Sequence, residues 1–158
     1  MSQILQIAVI AAATFGTGAA TLSVMNEDIP DLEVPEGDWK ATGALDGKSF
    51  DVTGSDLTSD TVYKDEIVFR DGTFQSLNCE EYCTFGWSDY QTMEIDGVTH
   101  FTATAICPDA PHTVVWYGTV AGDQMDVDIT WTTRRWYWTN QIQVSGEAEV
   151  IVPETVSG

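Results

Sequence analysis

The sequence predicts an all-β domain, most simply an antiparallel up-and-down barrel of eight or nine strands. Residues 114–132 indicate this most directly. With a tight turn at Gly122-Asp123, one register places apolar side chains on one face and mostly polar side chains on the other. Three Asp-Gly pairs, at 46–47, 71–72 and 96–97, favour the type I′ turns of further hairpins. After residue 25, no segment repeats its apolar residues with the period of a helix.

The strands follow from these turns in chain order. The strands that flank the Asp-Gly pairs are predicted at residues 39–45, 48–53, 66–70, 73–77, 87–95 and 98–107. The third pair places Tyr90 opposite Ala103, and the polar stretch 54–64 is predicted to be a loop. A helical turn is expected near residues 78–84. The last strand, 141–152, alternates apolar and polar residues throughout, so one of its faces is predicted to be buried.

A row of neighbouring hairpins leaves an unpaired edge strand on each side of the sheet, and such edges invite pairing with other chains. A closed barrel removes both edges, and we therefore predict it. A two-sheet sandwich is the alternative. The barrel domain is predicted over residues 39–153, with a short C-terminal tail at 154–158.

The N-terminal segment differs from the rest of the chain. Residues 1–25 are largely apolar and are predicted to form a hydrophobic helix. Small residues at Gly18-Ala19-Ala20 fit a signal-peptidase site, so a cleaved signal peptide is favoured. A retained membrane anchor is the alternative, because a span needs about 20 apolar residues. Residues 26–38 are predicted to be an acidic linker. Both alternatives place the domain in the periplasm or cell envelope.

The composition limits the possible functions. The chain has 25 acidic and 6 basic residues, with a formal net charge of −19. This charge argues against binding nucleic acid or anionic lipid through the general surface. The sequence has no catalytic-triad spacing, phosphate-binding glycine loop or zinc-ligand pattern. We therefore assign no catalytic residue, metal or cofactor, and an enzyme is the least favoured class.

The three cysteines fit an oxidising compartment. The predicted turn at residues 96–97 places Gly86 opposite Cys107, three residues from Cys83 and seven from Cys79. The Cα atoms of a disulfide lie about 4.4–6.8 Å apart. We therefore predict a Cys83–Cys107 disulfide with Cys79 free. A Cys79–Cys107 disulfide is the alternative if the intervening loop doubles back.

Residues 131–138, WTTRRWYW, concentrate three of the six tryptophans and two of the six basic residues. One interpretation is a partner rim, in which aromatic and cationic side chains contact a partner or a planar ligand. The predicted rim residues are Arg134, Arg135, Trp136 and Trp138. The alternative is that the aromatic residues cover one end of the barrel and the arginines pair with local carboxylates.

Two sets of residues resemble known groups of proteins. Trp39, near the start of a small all-β domain, is similar to the opening of the calycins, which are the lipocalin and avidin-type barrels. Trp116-x-Gly118 followed by Trp131 is similar to the late strands of the avidins. The patterns LDGKSF, DEIVFRDGTFQSLNC and WYGTVAGD resemble a group of uncharacterised bacterial envelope proteins. The resemblance implies a small envelope barrel and brings no ligand with it.

These observations predict a non-enzymatic envelope barrel that binds a small apolar or planar ligand. Small alanines opposite large aromatics are expected to leave room inside an eight-stranded barrel. The predicted ligand-binding residues are Tyr90, Phe101, Ala103, Ala105, Trp116 and Trp131. The alternative is an accessory subunit, tethered by its N-terminal segment, that docks on a larger membrane protein complex through the partner rim.

Overall fold

A computed structural model describes residues 32–152, in which eight antiparallel strands close into one barrel. The elements are β1 (Ser49–Asp56), β2 (Val62–Arg70), β3 (Thr73–Ser76), α1 (Leu77–Tyr82), β4 (Ser88–Ile95), β5 (Val98–Ile106), β6 (His112–Ala121), β7 (Gln124–Arg135) and β8 (Trp138–Val150). Each strand pairs with its neighbours in sequence, and β8 pairs with β1 to close the ring. The fold is therefore the predicted barrel and not the two-sheet sandwich. The predictions for residues 1–25, 26–31 and 154–158 lie outside the described residues.

The hairpin registers predicted around residues 71–72, 96–97 and 122–123 are confirmed, and Tyr90 pairs with Ala103 as predicted. Trp116 pairs with Ile129 around the turn at Gly122 and Asp123, and Phe69 pairs with Phe74. In the turns at residues 71–72 and 96–97, both the aspartate and the glycine have positive φ, between 52° and 80°. A type I′ turn requires this backbone conformation, and Asp-Gly adopts it readily.

The prediction of a hairpin at residues 46–47 is wrong. Residues 32–45 form no strand, apart from an isolated bridge between Lys40 and Thr92. Leu45 is instead buried in the barrel, where its backbone N–H donates to the Tyr90 hydroxyl over 3.0 Å. That hydroxyl donates in turn to the Asp46 carboxylate over 2.8 Å. The segment thus closes one end of the barrel, because burial of Leu45 and these tertiary hydrogen bonds outweigh the local turn preference.

Aromatic side chains fill the closed half of the barrel. We call the closed end, which carries the β2–β3, β4–β5 and β6–β7 turns, the lower end. Phe69 lies at the centre of this aromatic core, with its ring centroid 4.9 Å from Tyr90, 5.2 Å from Phe101 and 5.4 Å from Phe74. Gly118 lies beside Phe101, where a Cβ atom would collide with the phenyl ring. The lower half of the interior is therefore densely packed.

The opposite, upper end carries the β1–β2 loop, α1, the β5–β6 loop and the tip of the β7–β8 hairpin. The structure contains the predicted disulfide between Cys83, just after α1, and Cys107, just after β5, with Cα atoms 5.9 Å apart. Cys79 has a free thiol. The disulfide holds the segment after α1 to the rim of the barrel. Within residues 32–152, no helix has the length and apolar character required to cross a membrane.

Candidate functional site: a cavity at the upper end of the barrel

The upper half of the barrel contains a cavity of about 270 Å³. Its barrel wall is apolar and comes from the strands on either side of the β1–β8 seam. The wall residues are Val52 and Gly54 of β1, Ile129 and Trp131 of β7, and Ile142 and Val144 of β8. These side chains face inward by strand alternation and lie on the far side of the aromatic core from the lower turns. The cavity therefore begins where the aromatic packing ends.

Two glycines lie at the barrel seam, where β1 and β8 approach each other closely. Gly54 pairs with Gly146 where β1 meets β8. A Cβ atom on Gly146 would lie 2.5 Å from the Thr53 carbonyl oxygen, so the two backbones approach too closely for a side chain there. Gly54 lines the cavity, and a Cβ atom there would lie 2.5 Å from the Val144 Cγ1 atom, so Val144 already occupies that space. The glycines therefore account for the close packing of the seam beside the cavity.

The other wall of the cavity is more polar and is formed by β2 and α1. Its residues are Tyr63, Asp65, Asn78, Cys79 and Tyr82. The Asp65 carboxylate accepts hydrogen bonds from the Ser76 hydroxyl over 2.6 Å and from the Asn78 backbone N–H over 2.9 Å. Ser76 also caps α1 by accepting from the Cys79 backbone N–H. This network fixes α1 across the cavity.

Burial raises the pKa of Asp65, and the hydrogen bonds from Ser76 and Asn78 act in the opposite direction. The carboxylate therefore has a structural task, since its acceptor atoms are directed at the start of α1. Burial also raises the pKa of the Cys79 thiol to about 12, with a further contribution from the nearby Asp65 and Glu80 carboxylates. A thiol with such a pKa is protonated at neutral pH and is a poor nucleophile.

We expect Cys79 to react with iodoacetamide at pH 8 about a hundredfold more slowly than a free cysteine in water. The raised pKa lowers the thiolate fraction roughly a thousandfold, and the greater nucleophilicity of a more basic thiolate recovers part of this loss. Mass spectrometry of timed aliquots measures the rate, with the chain unfolded in urea as the fast control. Alkylation of the folded protein as fast as the urea control would contradict the burial of this thiol.

Trp131 is the one predicted ligand-binding residue that lines the cavity. Its indole makes edge-on contacts with Phe85 and Tyr82, at centroid distances of 5.5 and 6.2 Å, and lies 5.3 Å from the His112 ring. Aromatic side chains from three segments thus surround the indole. The other predicted ligand-binding residues belong to the packed core and are at most 4% exposed; they are Tyr90, Phe101, Ala103, Ala105 and Trp116.

The sequence interpretation missed most of the cavity wall. Its prediction did place Ile142 and Val144 on the buried face of the last strand, but it assigned them no role. The sequence positions of Ile142 and Val144, far from the lower turns, could have indicated that they lie in the less filled half of the barrel. The inward residues of the upper half, such as Val52 and Val144, are smaller than the phenylalanines and tyrosine of the lower half. The inward side chains at each level of the barrel can be assigned from the turns. Summing their volumes level by level would have indicated unfilled space at the upper end.

The four predicted rim residues lie together at the end of the β7–β8 hairpin. Arg135 pairs with Trp138 across a two-residue turn. Trp136 is 95% exposed, Tyr137 61% and Trp138 39%. The Arg135 guanidinium lies 6.0 Å from the centre of the Trp138 ring, and the Arg134 backbone N–H donates to the Pro111 carbonyl. We call residues 136–138 the aromatic tip.

The two histidines of the chain each form a hydrogen bond with a hydroxyl group on a neighbouring strand. His100 shares a 2.7 Å hydrogen bond with the Tyr117 hydroxyl, and His112 shares a 2.9 Å hydrogen bond with the Thr133 hydroxyl. In the part of the chain that the structure describes, no three His, Cys, Asp or Glu side chains come together as a metal-binding group.

No family model matches the chain, and comparisons with curated proteins and with solved structures find no significant match. The function is therefore inferred from the geometry of the site.

Proposed function

We propose that this protein is a non-enzymatic binding protein of the cell envelope that takes a small apolar or planar ligand in the upper cavity. The observation that carries the proposal is the 270 Å³ cavity, whose barrel wall is apolar and includes Trp131. A cavity of this kind is the usual position of a ligand in a small barrel. The disulfide fits the oxidising compartment that the proposal requires. Relationship to the calycins, whose barrels hold ligands in this manner, is part of the proposal.

The size and charge of the cavity define the class of ligand. An engineered apolar cavity of about 150 Å³ holds benzene, and pockets for drug-sized ligands begin at about 300 Å³. The ligand is therefore a molecule of up to about three rings or a short acyl chain. The Asp65 carboxylate in the wall and the net charge of −19 disfavour an anionic ligand. A neutral ligand, with at most one polar group directed towards β2 and α1, fits best.

A dye titration tests the proposal. N-phenyl-1-naphthylamine is a neutral dye, in which an amine joins a naphthalene and a phenyl ring, and it fluoresces in apolar surroundings. We expect it to bind the folded protein saturably. The Ile142→Trp variant places a large ring in the cavity wall and is expected to abolish this binding. Val152→Trp is the matched control, because Val152 is 74% exposed after β8, at the lower end of the barrel and away from the cavity. Equal dye binding by the wild type and Ile142→Trp would contradict the proposed site.

A further inference from the structure

Exposed large apolar side chains are concentrated at the upper end of the barrel. The aromatic tip, Leu57, Tyr82 and Ile106 all belong to loops or strand ends there, and all except Trp138 are at least 54% exposed. They come from four separate segments at the end of the barrel that holds the cavity, and Tyr82 lines the cavity itself. Elsewhere on the described surface, Leu45 is buried as the closing residue of the lower end, Trp87 is 37% exposed beside Arg70, and Ile151 and Val152 are exposed after β8. We call the exposed side chains of the upper end the upper rim. Large exposed apolar side chains are more numerous there than elsewhere on the described surface.

The aromatic tip joins this apolar rim to positive charge. Arg134 and Arg135 directly precede it, and neither forms a salt bridge with any carboxylate among the described residues. Tryptophan and tyrosine prefer the boundary between water and lipid hydrocarbon, because their rings are apolar with one polar edge. Arginine donates several hydrogen bonds in a planar fork that matches a phosphate group. Together these side chains match the headgroup region of a phospholipid bilayer.

We propose that the upper rim docks onto a phospholipid bilayer, with Trp136 and Trp138 entering the headgroup–acyl boundary and Arg134 and Arg135 bound to lipid phosphates. The lipid is zwitterionic, because a net charge of −19 repels an anionic surface. Only the aromatic tip enters the bilayer, because the other segments of the upper end carry exposed carboxylates at Asp60, Glu81 and Asp109. Docking in this orientation would direct the cavity mouth at the membrane. The docking inference rests on the rim alone and holds whether or not the cavity binds a ligand.

Quenching by brominated lipid tests the docking directly. The full chain is mixed with phosphatidylcholine vesicles whose acyl chains carry bromine, and with unbrominated vesicles as the reference. Bromine quenches tryptophan only at close range, so the signal reports tryptophans that enter the bilayer. All six tryptophans lie at or after Trp39, so an N-terminal segment inserted in the bilayer adds no signal of its own. We expect lower tryptophan fluorescence in the brominated vesicles.

Matched variants assign the signal to the tip. The double variant Trp136→Ala/Trp138→Ala is expected to lose the bromine-dependent quenching and to keep its melting temperature. Trp87→Ala is the control, because Trp87 is 37% exposed, close to the 39% of Trp138, and stacks on Arg70 away from the tip. It is expected to keep the quenching. Equal fluorescence of the wild type in both kinds of vesicle would overturn the proposal, and so would equal quenching of the wild type and the double variant.

The same experiment separates lipid docking from its alternatives. A wild type that stays on native membranes but shows no quenching by brominated lipid would overturn lipid docking in favour of a membrane protein partner. Titration of the double variant with N-phenyl-1-naphthylamine in vesicle-free buffer is expected to give wild-type binding, because the aromatic tip does not line the cavity. Failure of docking and failure of ligand binding are therefore seen in different measurements.

Discussion

Phe69→Ala is expected to lower the free energy of unfolding by about 3–5 kcal/mol, the usual range for a buried phenylalanine. Phe69 is 1% exposed, and its ring contacts those of four other aromatic residues in the lower half of the barrel. Alanine at this position removes most of a side chain from the centre of the cluster. The neighbouring rings are held by different strands, so they can close the resulting cavity only in part.

Urea denaturation followed by circular dichroism measures this loss. Tyr82→Ala is the control, because Tyr82 is 72% exposed at the upper rim and its removal leaves the lower core intact. We expect a change of about 0.5 kcal/mol or less for such a surface substitution. A loss below about 1 kcal/mol for Phe69→Ala would mean that the aromatic cluster is not the principal core of the barrel.

Removal of the Cys83–Cys107 disulfide is expected to cost about 3 kcal/mol of stability. The two cysteines are 24 residues apart, and a cross-link over a loop of this length restricts the unfolded chain by about that amount. The disulfide also holds the segment after α1 against the end of β5, and α1 forms one wall of the cavity. We therefore expect the variant to bind N-phenyl-1-naphthylamine more weakly as well.

The double variant Cys83→Ala/Cys107→Ala is the appropriate test. A single change of Cys83 would leave Cys79 and Cys107 free to form the alternative disulfide. Cys79→Ala keeps the native disulfide and removes only a half-buried thiol, so it is the control and is expected to lose less stability. Urea denaturation of both variants gives the comparison. Equal stability of the double variant and the wild type would show that the cross-link contributes nothing to folding.

The two halves of the barrel have different tasks in this interpretation. The lower half is closed by Leu45 and packed around Phe69, so it supplies most of the stability. The upper half is less filled and is held together by the disulfide and by the Asp65–Ser76 hydrogen bond at the start of α1. Because the tightly packed core and the cavity lie in different halves of the barrel, the cavity can remain unfilled while the domain stays folded.

The sequence by itself determined the hairpins. Asp71-Gly72 and Asp96-Gly97 specify tight turns through their own backbone preferences, and apolar alternation then sets the register of the flanking strands. The Cys83–Cys107 pairing followed from the register of one such hairpin. These features depend on residues that are close in the chain, so a local pattern contains the necessary information.

Only the tertiary structure decided which part of the interior is filled. Asp46-Gly47 has the same local signal as the other pairs, yet Asp46 accepts hydrogen bonds from Gly72 and Tyr90, and Leu45 closes the barrel. Of the aromatic residues predicted to bind a ligand, Trp131 lines the cavity, whereas Tyr90, Phe101 and Trp116 are buried in the core for a related reason. Strand alternation shows that a side chain points inward, but the space left around it depends on side chains from all the strands that share its level. That sum of volumes is fixed only when the barrel closes, and it places the cavity at the upper end.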